Sequence, residues 1–205
     1  MAMDPITTWL DLMRHGEPEG GPKFRGSQDD PLSDTGWQQM RAAVAAVAAD
    51  DHWDVVVASP MLRCVRFAEE VAQQRGLPLQ VEPRLREIGF GDWEGLTSEQ
   101  ILARDGDRLS RFWDNPVTNT PPGAEALEAF QQRVLAGWQH WRTELAGQRA
   151  LVVCHGGVIR MILADVLGIP LARSFAGLAV PYACRSQVRI DHTDTDCYQS
   201  LLRHG

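Results

Sequence analysis

Leu12-Met13-Arg14-His15-Gly16 is an apolar run that stops at an arginine, a histidine and a glycine, and its reading decides the fold. Just upstream, Thr8-Trp9-Leu10-Asp11 has strand-like composition, and Gly16 permits a backbone bend that a larger side chain resists. The triplet is therefore expected where a strand ends. In an open α/β sheet, ligands gather at the carboxyl ends of strands, so a cation beside a potential nucleophile at that edge points to an anion site. A lone histidine at a strand end also serves purely structural purposes, so partners must be sought elsewhere in the chain.

The arrangement recurs at Ala150-Leu151-Val152-Val153-Cys154-His155-Gly156-Gly157, a second apolar run that ends in histidine and glycine. Val158 to Leu167 then reads as a helix stopped by Gly168 and Pro170. The two glycines at its start would let backbone N–H groups approach an anion closely. Between these runs, Asp54-Val55-Val56-Val57-Ala58 has the continuous β-branched character of a strand covered on both faces. After Ser59-Pro60, Met61 to Arg75 reads as a helix with Leu62, Val65, Phe67 and Val71 inward and Gly76 closing it. Arg63 falls in the first turn, where the helix macrodipole disfavours a cation; a bound phosphate would offset that cost. Leu79-Gln80-Val81-Glu82 is a third candidate strand.

Other segments organise around these. Glu17 to Pro22 is loop by composition, and Lys23 and Arg25 beyond it are either substrate contacts or a solvated basic turn. Ser33 can cap a helix with Trp37, Met40, Val44 and Val47 on its core face. Pro83 to Gly95 alternates glycines with large aromatics, as a packed loop does, and its carboxylates Glu87, Asp92 and Glu94 are not distinguished by spacing. Thr97 to Trp113 looks helical and polar, and the three prolines between Asn115 and Gly123 break any regular element, so about 97–123 reads as a cap-like insertion. Ala124 to Leu145 restores a helical pattern through Leu127, Phe130, Val134, Trp138 and Trp141. Two final strands, 184–190 and 197–202, would form a hairpin whose Asp191 to Asp196 connection is a polar turn rather than a metal cluster.

With 205 residues, 44% of them hydrophobic, the chain can bury a sizeable core as one domain over 1–205. The net charge of -7 argues against nucleic acid or an anionic membrane surface as partner, so the anion site must be local. The cysteines Cys64, Cys154, Cys184 and Cys197 lack CxxC spacing, as expected of reduced thiols in a cytosolic protein. No apolar run approaches the roughly 20 residues of a membrane helix, and Met1 to Pro5 lacks the regions of a secretory signal, so a cytoplasmic location is expected. No feature specifies an oligomer.

Taken in order, Arg14-His15-Gly16, Pro31-Leu32-Ser33 with Gly36, Ser59-Pro60-Met61-Leu62-Arg63, Leu85-Arg86-Glu87 with Phe90 to Gly95, and His155-Gly156-Gly157-Val158-Ile159-Arg160 resemble the motifs of the histidine phosphatase superfamily, the phosphoglycerate mutase-like family. The resemblance covers nearly the whole chain. It implies a three-layer α/β/α fold with a mainly parallel sheet, an antiparallel edge and a helical insertion. It further implies that His15 is the nucleophile forming a phosphohistidine, that Arg14, Arg63, His155 and Gly156 hold the phosphoryl group, and that Glu87 is the proton donor. Physical chemistry supports these roles. A phosphate monoester carries nearly two negative charges, and its transfer spreads charge over three oxygens, which two arginines and an imidazolium-capable His155 would suit. Neighbouring cations should keep His15 neutral, with a lone pair available for in-line attack. No metal or cofactor is required.

The mutase branch carries an asparagine beyond its first motif and an arginine directly after the glutamate. Here the first region is rich in glycine and proline, and Ile88 follows Glu87. The missing cation, which would grip the carboxylate of a phosphoglycerate, favours hydrolysis over mutase action. The Phe90 to Gly95 segment and the His155 to Arg160 run look most like the α-ribazole phosphatase type, whereas Pro121-Pro122-Gly123-Ala124-Glu125 matches the family's Pro-x-Gly-Glu-Ser pattern only in part. The expected activity is hydrolysis of a small phosphorylated metabolite, with α-ribazole 5′-phosphate as a candidate. The competing readings are a phosphoglycerate mutase and a non-catalytic sensor of phosphorylated ligands.

Overall fold

A computed structural model describes residues 6–47 and 52–205; the Met1 to Pro5 stretch read above for a signal lies outside them. Six strands, β1 (Ile6–Arg14), β2 (Val55–Ala58), β3 (Leu79–Val81), β4 (Arg149–Cys154), β5 (Arg185–His192) and β6 (Cys197–His204), form one sheet in the order β3-β2-β4-β1-β5-β6. The first four are mutually parallel, and β5 and β6 add an antiparallel edge.

The continuous apolar runs are explained by two-sided burial. On one face Leu10, Leu12, Val55, Val57, Ala150 and Val152 pack against α5 (Leu127–Glu144) and α6 (Gly156–Leu167). On the other, Met13, Val56, Ala58, Leu151 and Val153 pack against α1 (Asp34–Ala45) and α2 (Leu62–Arg75). Alternation of side chains along each strand thus feeds two separate cores, giving the expected three layers. Ser33 caps α1 by accepting from Gly36 N, and Gly76 and Gly168 close α2 and α6 in the left-handed conformation that lacks a steric penalty only for glycine.

Three local expectations are corrected. The single helix read over Thr97 to Trp113 is two, α3 (Ser98–Asp105) and α4 (Arg108–Asp114), because Gly106 takes φ 63 and Ile101 and Phe112 anchor separate turns in the core. The hairpin strands run longer than read, so the turn is only Thr193 to Asp196, closed by bonds between those two residues. At Gly16 the backbone is not left-handed; the residue is small because a Cβ there would collide with the Gly36 carbonyl where β1 runs onto the start of α1. Among the described residues no helix is long and apolar enough to cross a membrane.

Candidate active site

Strand register assembles the site. β1 and β4 are neighbours with Arg14 opposite Cys154, so His15 and His155 leave the sheet side by side, tied by a His15 N to Cys154 O bond. β2 pairs with β4 one residue earlier, Ala58 opposite Val153, which brings Ser59 to the same edge. The His15 and His155 rings stand 5.2 Å apart, edge to face. His15 Nδ1 lies 2.8 Å from Gly16 O, a bond in which only the nitrogen can donate. The proton is therefore assigned to Nδ1, leaving the Nε2 lone pair unprotonated. Burial, then Arg14 and Arg63, push the His15 pKa well below its ordinary value, as the cations at the motif led us to expect.

His155 departs from expectation. It is fully buried, with Ser59 Oγ 2.7 Å from Nε2 and Cys64 Sγ 3.6 Å away. Burial first, then Arg63, His15 and Arg14, hold its pKa far below the ordinary value. Its surroundings disfavour the charged form, because adding a proton would place a third cation beside two guanidinium groups.

Arg14 donates from Nη1 to Val180 O at 2.6 Å and stacks on Tyr182, its guanidinium carbon 4.2 Å from the ring centre. Arg63 is buried and reaches back to Gln28 O and Gly26 O, at 2.7 and 3.1 Å. The anion expected at the start of α2 is already present in the chain: Asp29 Oδ1 accepts from Leu62 N at 2.7 Å, so the helix terminus by itself is no argument for phosphate. Arg25 lines the cavity but is engaged, through Nε to Asp30 Oδ2 at 3.0 Å and through its Nη atoms to loop carbonyls. It staples the 17–26 loop rather than offering an uncommitted charge.

Among the three ambiguous carboxylates the structure separates the roles. Asp92 is exposed, and Glu94 ties Ser27 N and Phe90 N together, bracing the loop. Glu87 alone lines the cavity, its Oε1 accepting from Ile88 N at 3.0 Å and its Oε2 from Gly157 N at 3.2 Å. One of the two glycine N–H groups expected to face an anion is thus spent on Glu87. Gly156 does line the cavity. Arg133 of α5 clamps the loop that carries Glu87, donating to the carbonyls of Arg84, Arg86 and Glu87 while paired with Glu125 at 2.7 Å. Glu125 in turn accepts from Gly89 N.

Sequence reasoning passed over residues 171–183, which have no periodicity, yet that stretch brings Phe175, Val180 and Tyr182 to the site. Its neighbour Ala183 adopts φ 56, a left-handed conformation that costs a non-glycine residue roughly 1 kcal/mol, while its N–H bonds to His15 O. Arg160 was quoted in a motif without a role; its position four residues after Gly156 would have placed it on the same helix face. These groups enclose a cavity of about 350 Å³ lined by Arg14, His15, Arg63, Glu87 and Arg160, with Phe24, Phe90, Trp113, Phe175 and Tyr182 as an apolar wall.

Comparison with known proteins agrees with this picture. The sequence pattern of the histidine phosphatase superfamily (branch 1) matches residues 10–200. A bifunctional protein of Mycobacterium tuberculosis is 34% identical over 158 residues, covering 76% of this chain but only 43% of the relative. The chain therefore spans less than half the length of that relative. An adenosylcobalamin/alpha-ribazole phosphatase of Escherichia coli is 29% identical over 188 residues, 88% of this chain and 89% of the relative. The solved mycobacterial glucosyl-3-phosphoglycerate phosphatase superposes with a TM-score of 0.80 at 28% identity, covering 95% of this chain and 97% of that one.

Proposed function

Because the chain belongs to the histidine phosphatase superfamily (branch 1), we propose that it hydrolyses a small phosphate monoester through a phosphohistidine on His15. One observation carries this reading: His15 Nδ1 donates to Gly16 O, which leaves the Nε2 lone pair available in a cavity shared with Arg14, Arg63 and Glu87, with the His155 ring packed 5.2 Å from that of His15. In the first step Nε2 attacks phosphorus while the bond to the leaving oxygen breaks, and the Glu87 carboxylic acid gives its proton to that oxygen. Arg14 and Arg63 meet the charge that spreads over the equatorial oxygens, and the His155 N–H can add a neutral donor. In the second step water attacks the phosphoryl group, its proton passes to the Glu87 carboxylate, and the N–P bond breaks to release inorganic phosphate. No step calls for a metal or a cofactor.

The substrate class is a small phosphorylated metabolite. α-Ribazole 5′-phosphate is one candidate, supported by the relative from Escherichia coli and by the aromatic wall of the cavity. Hydrolysis of p-nitrophenyl phosphate tests the chemistry: His15→Ala should lower kcat by on the order of 10⁴-fold or more and abolish acid-labile labelling of the chain. Unchanged hydrolysis by that variant overturns the mechanism. Tight phosphate binding without hydrolysis by the wild type would instead identify a sensor, and conversion of 3-phosphoglycerate to an isomer rather than to inorganic phosphate would identify a mutase.

A further inference from the structure

The cavity holds more positive charge than one phosphoryl group needs. Arg14, Lys23, Arg25, Arg63 and Arg160 line it, and Glu87 is the only carboxylate among the lining residues. Arg25 is compensated by Asp30, and Lys23 is exposed to solvent. Arg14 and Arg63 stand with His15 in the phosphoryl pocket proposed above, on which this inference rests. Arg160 is left over. Its Nε is buried with no hydrogen-bond partner among the described residues, and its guanidinium leans on aromatic faces, 5.5 Å from the ring centre of Phe175 and 6.0 Å from that of Trp113. A buried donor without an acceptor is costly, and the cost is removed when a ligand supplies the acceptor.

The position of Arg160 says which part of a ligand would do so. A Cβ on Gly156 would lie 3.1 Å from Arg160 Nη1 and 3.4 Å from Arg14 Nε, so the absence of a side chain there lets both guanidinium groups converge on one spot. Arg14 continues toward Tyr182 and His15, whereas Arg160 continues toward Trp113 and Phe175. Arg160 thus stands at the boundary between the phosphoryl pocket and the aromatic wall, where the leaving alcohol would lie.

We propose that Arg160 forms a second anion subsite that takes a carboxylate carried by the leaving alcohol, a few atoms from the phosphoester oxygen. A single planar guanidinium fork matches a carboxylate in a bidentate fashion, whereas a second phosphoryl group would bring two charges to one cation. Substrates with a neutral leaving group, α-ribazole 5′-phosphate among them, leave Arg160 unpartnered and are disfavoured relative to carboxylated monoesters.

The test is calorimetric binding to the His15→Ala chain, in which turnover does not intervene. It compares 3-phosphoglycerate with glycerol 3-phosphate, which carries a hydroxymethyl group in place of the carboxylate on the same phosphoester. We expect 3-phosphoglycerate to bind at least about tenfold more tightly. Adding Arg160→Met, which keeps the apolar stem, should bring the two ligands to within about twofold, and Arg160→Lys should retain part of the preference. No preference in the His15→Ala chain, a preference that survives Arg160→Met, or an equal loss of both ligands overturns the proposal; the last would assign Arg160 to the phosphoryl group itself. Phosphate release by the wild type is measured alongside. If neither ester is hydrolysed while the binding preference stands, the hydrolase reading fails and the subsite does not.

Discussion

His15 and His155 are buried beside two arginines, and this has a cost that depends on pH. In the unfolded chain each titrates near 6.5, but in the folded chain burial and the neighbouring guanidinium groups hold both well below that value. Below pH 6.5 the unfolded chain therefore binds protons that the folded chain refuses. Stability is full above that pH and falls as pH drops toward the depressed folded values, by up to about 1.4 kcal/mol per pH unit for each histidine. Urea titrations at pH 7.5 and 5.5 should show the loss, and His15→Gln with His155→Gln should flatten it; an unchanged midpoint in the wild type contradicts the assignment. Gly157 presents a second residue-scale case. A Cβ there would collide with Glu87 Oε1, the movable end of a side chain, and press on the Phe130 ring at 3.3 Å, so Gly157→Ala should fold with a stability change of no more than about 1 kcal/mol. It should lower kcat by on the order of 10²-fold, because Glu87 is displaced. Steady-state kinetics alongside a thermal melt separates the two effects. From sequence, His15, Arg14 and His155 were legible because each ends an apolar run. Glu87 was not separable from Asp92 and Glu94 by spacing and was singled out only by the motif resemblance; the fold adds the physical reason, since Glu94 is occupied with Ser27 and Phe90.

Elements matter through what they hold in place. α5 was legible from its apolar stripe, but its contribution to the site comes from Arg133 on its polar side, which secures three carbonyls of the Glu87 loop and the Glu125 carboxylate. Arg133→Met should cost about 2–3 kcal/mol in chemical denaturation and reduce kcat more than it changes KM, because the loop that carries Glu87 loosens. Equal activity with reduced stability would show that the loop needs no clamp. No sequence pattern marks Arg133, since a single arginine on a helix surface looks the same whether it meets solvent or a neighbouring loop. The break between α3 and α4 was invisible for a related reason: a glycine within polar helical sequence is tolerated or terminating depending on what its flanks pack against, here Ile101 and Phe112.

For the whole molecule, two cores on opposite faces of one sheet make burial a global property. Cys64 lies in one core and Cys154 in the other, Cys184 is also buried, and Cys197 is half-buried; all four are free thiols. Burial raises the pKa of Cys64, Cys154 and Cys184. A thiol reagent should therefore label Cys197 first and the other three at the rate of unfolding, read as four equivalents in denaturant against about one in the native protein. Rapid native labelling of Cys64 would mean that the sheet opens locally beside His155. The amino-acid sequence alone determined the strands, most helices and the residues at the two histidine strand ends, because hydrophobic periodicity and glycine stops are local signals; the layered fold followed from the resemblance of the ordered motifs to the family. Tertiary structure alone decided that the charged form of His155 is disfavoured, that Arg25 is already engaged, that Asp29 caps α2, and that Tyr182 and Arg160 face the same cavity as His15. Charge state and pairing depend on which groups are brought within a few ångströms, and strand register sets those distances between residues more than a hundred positions apart.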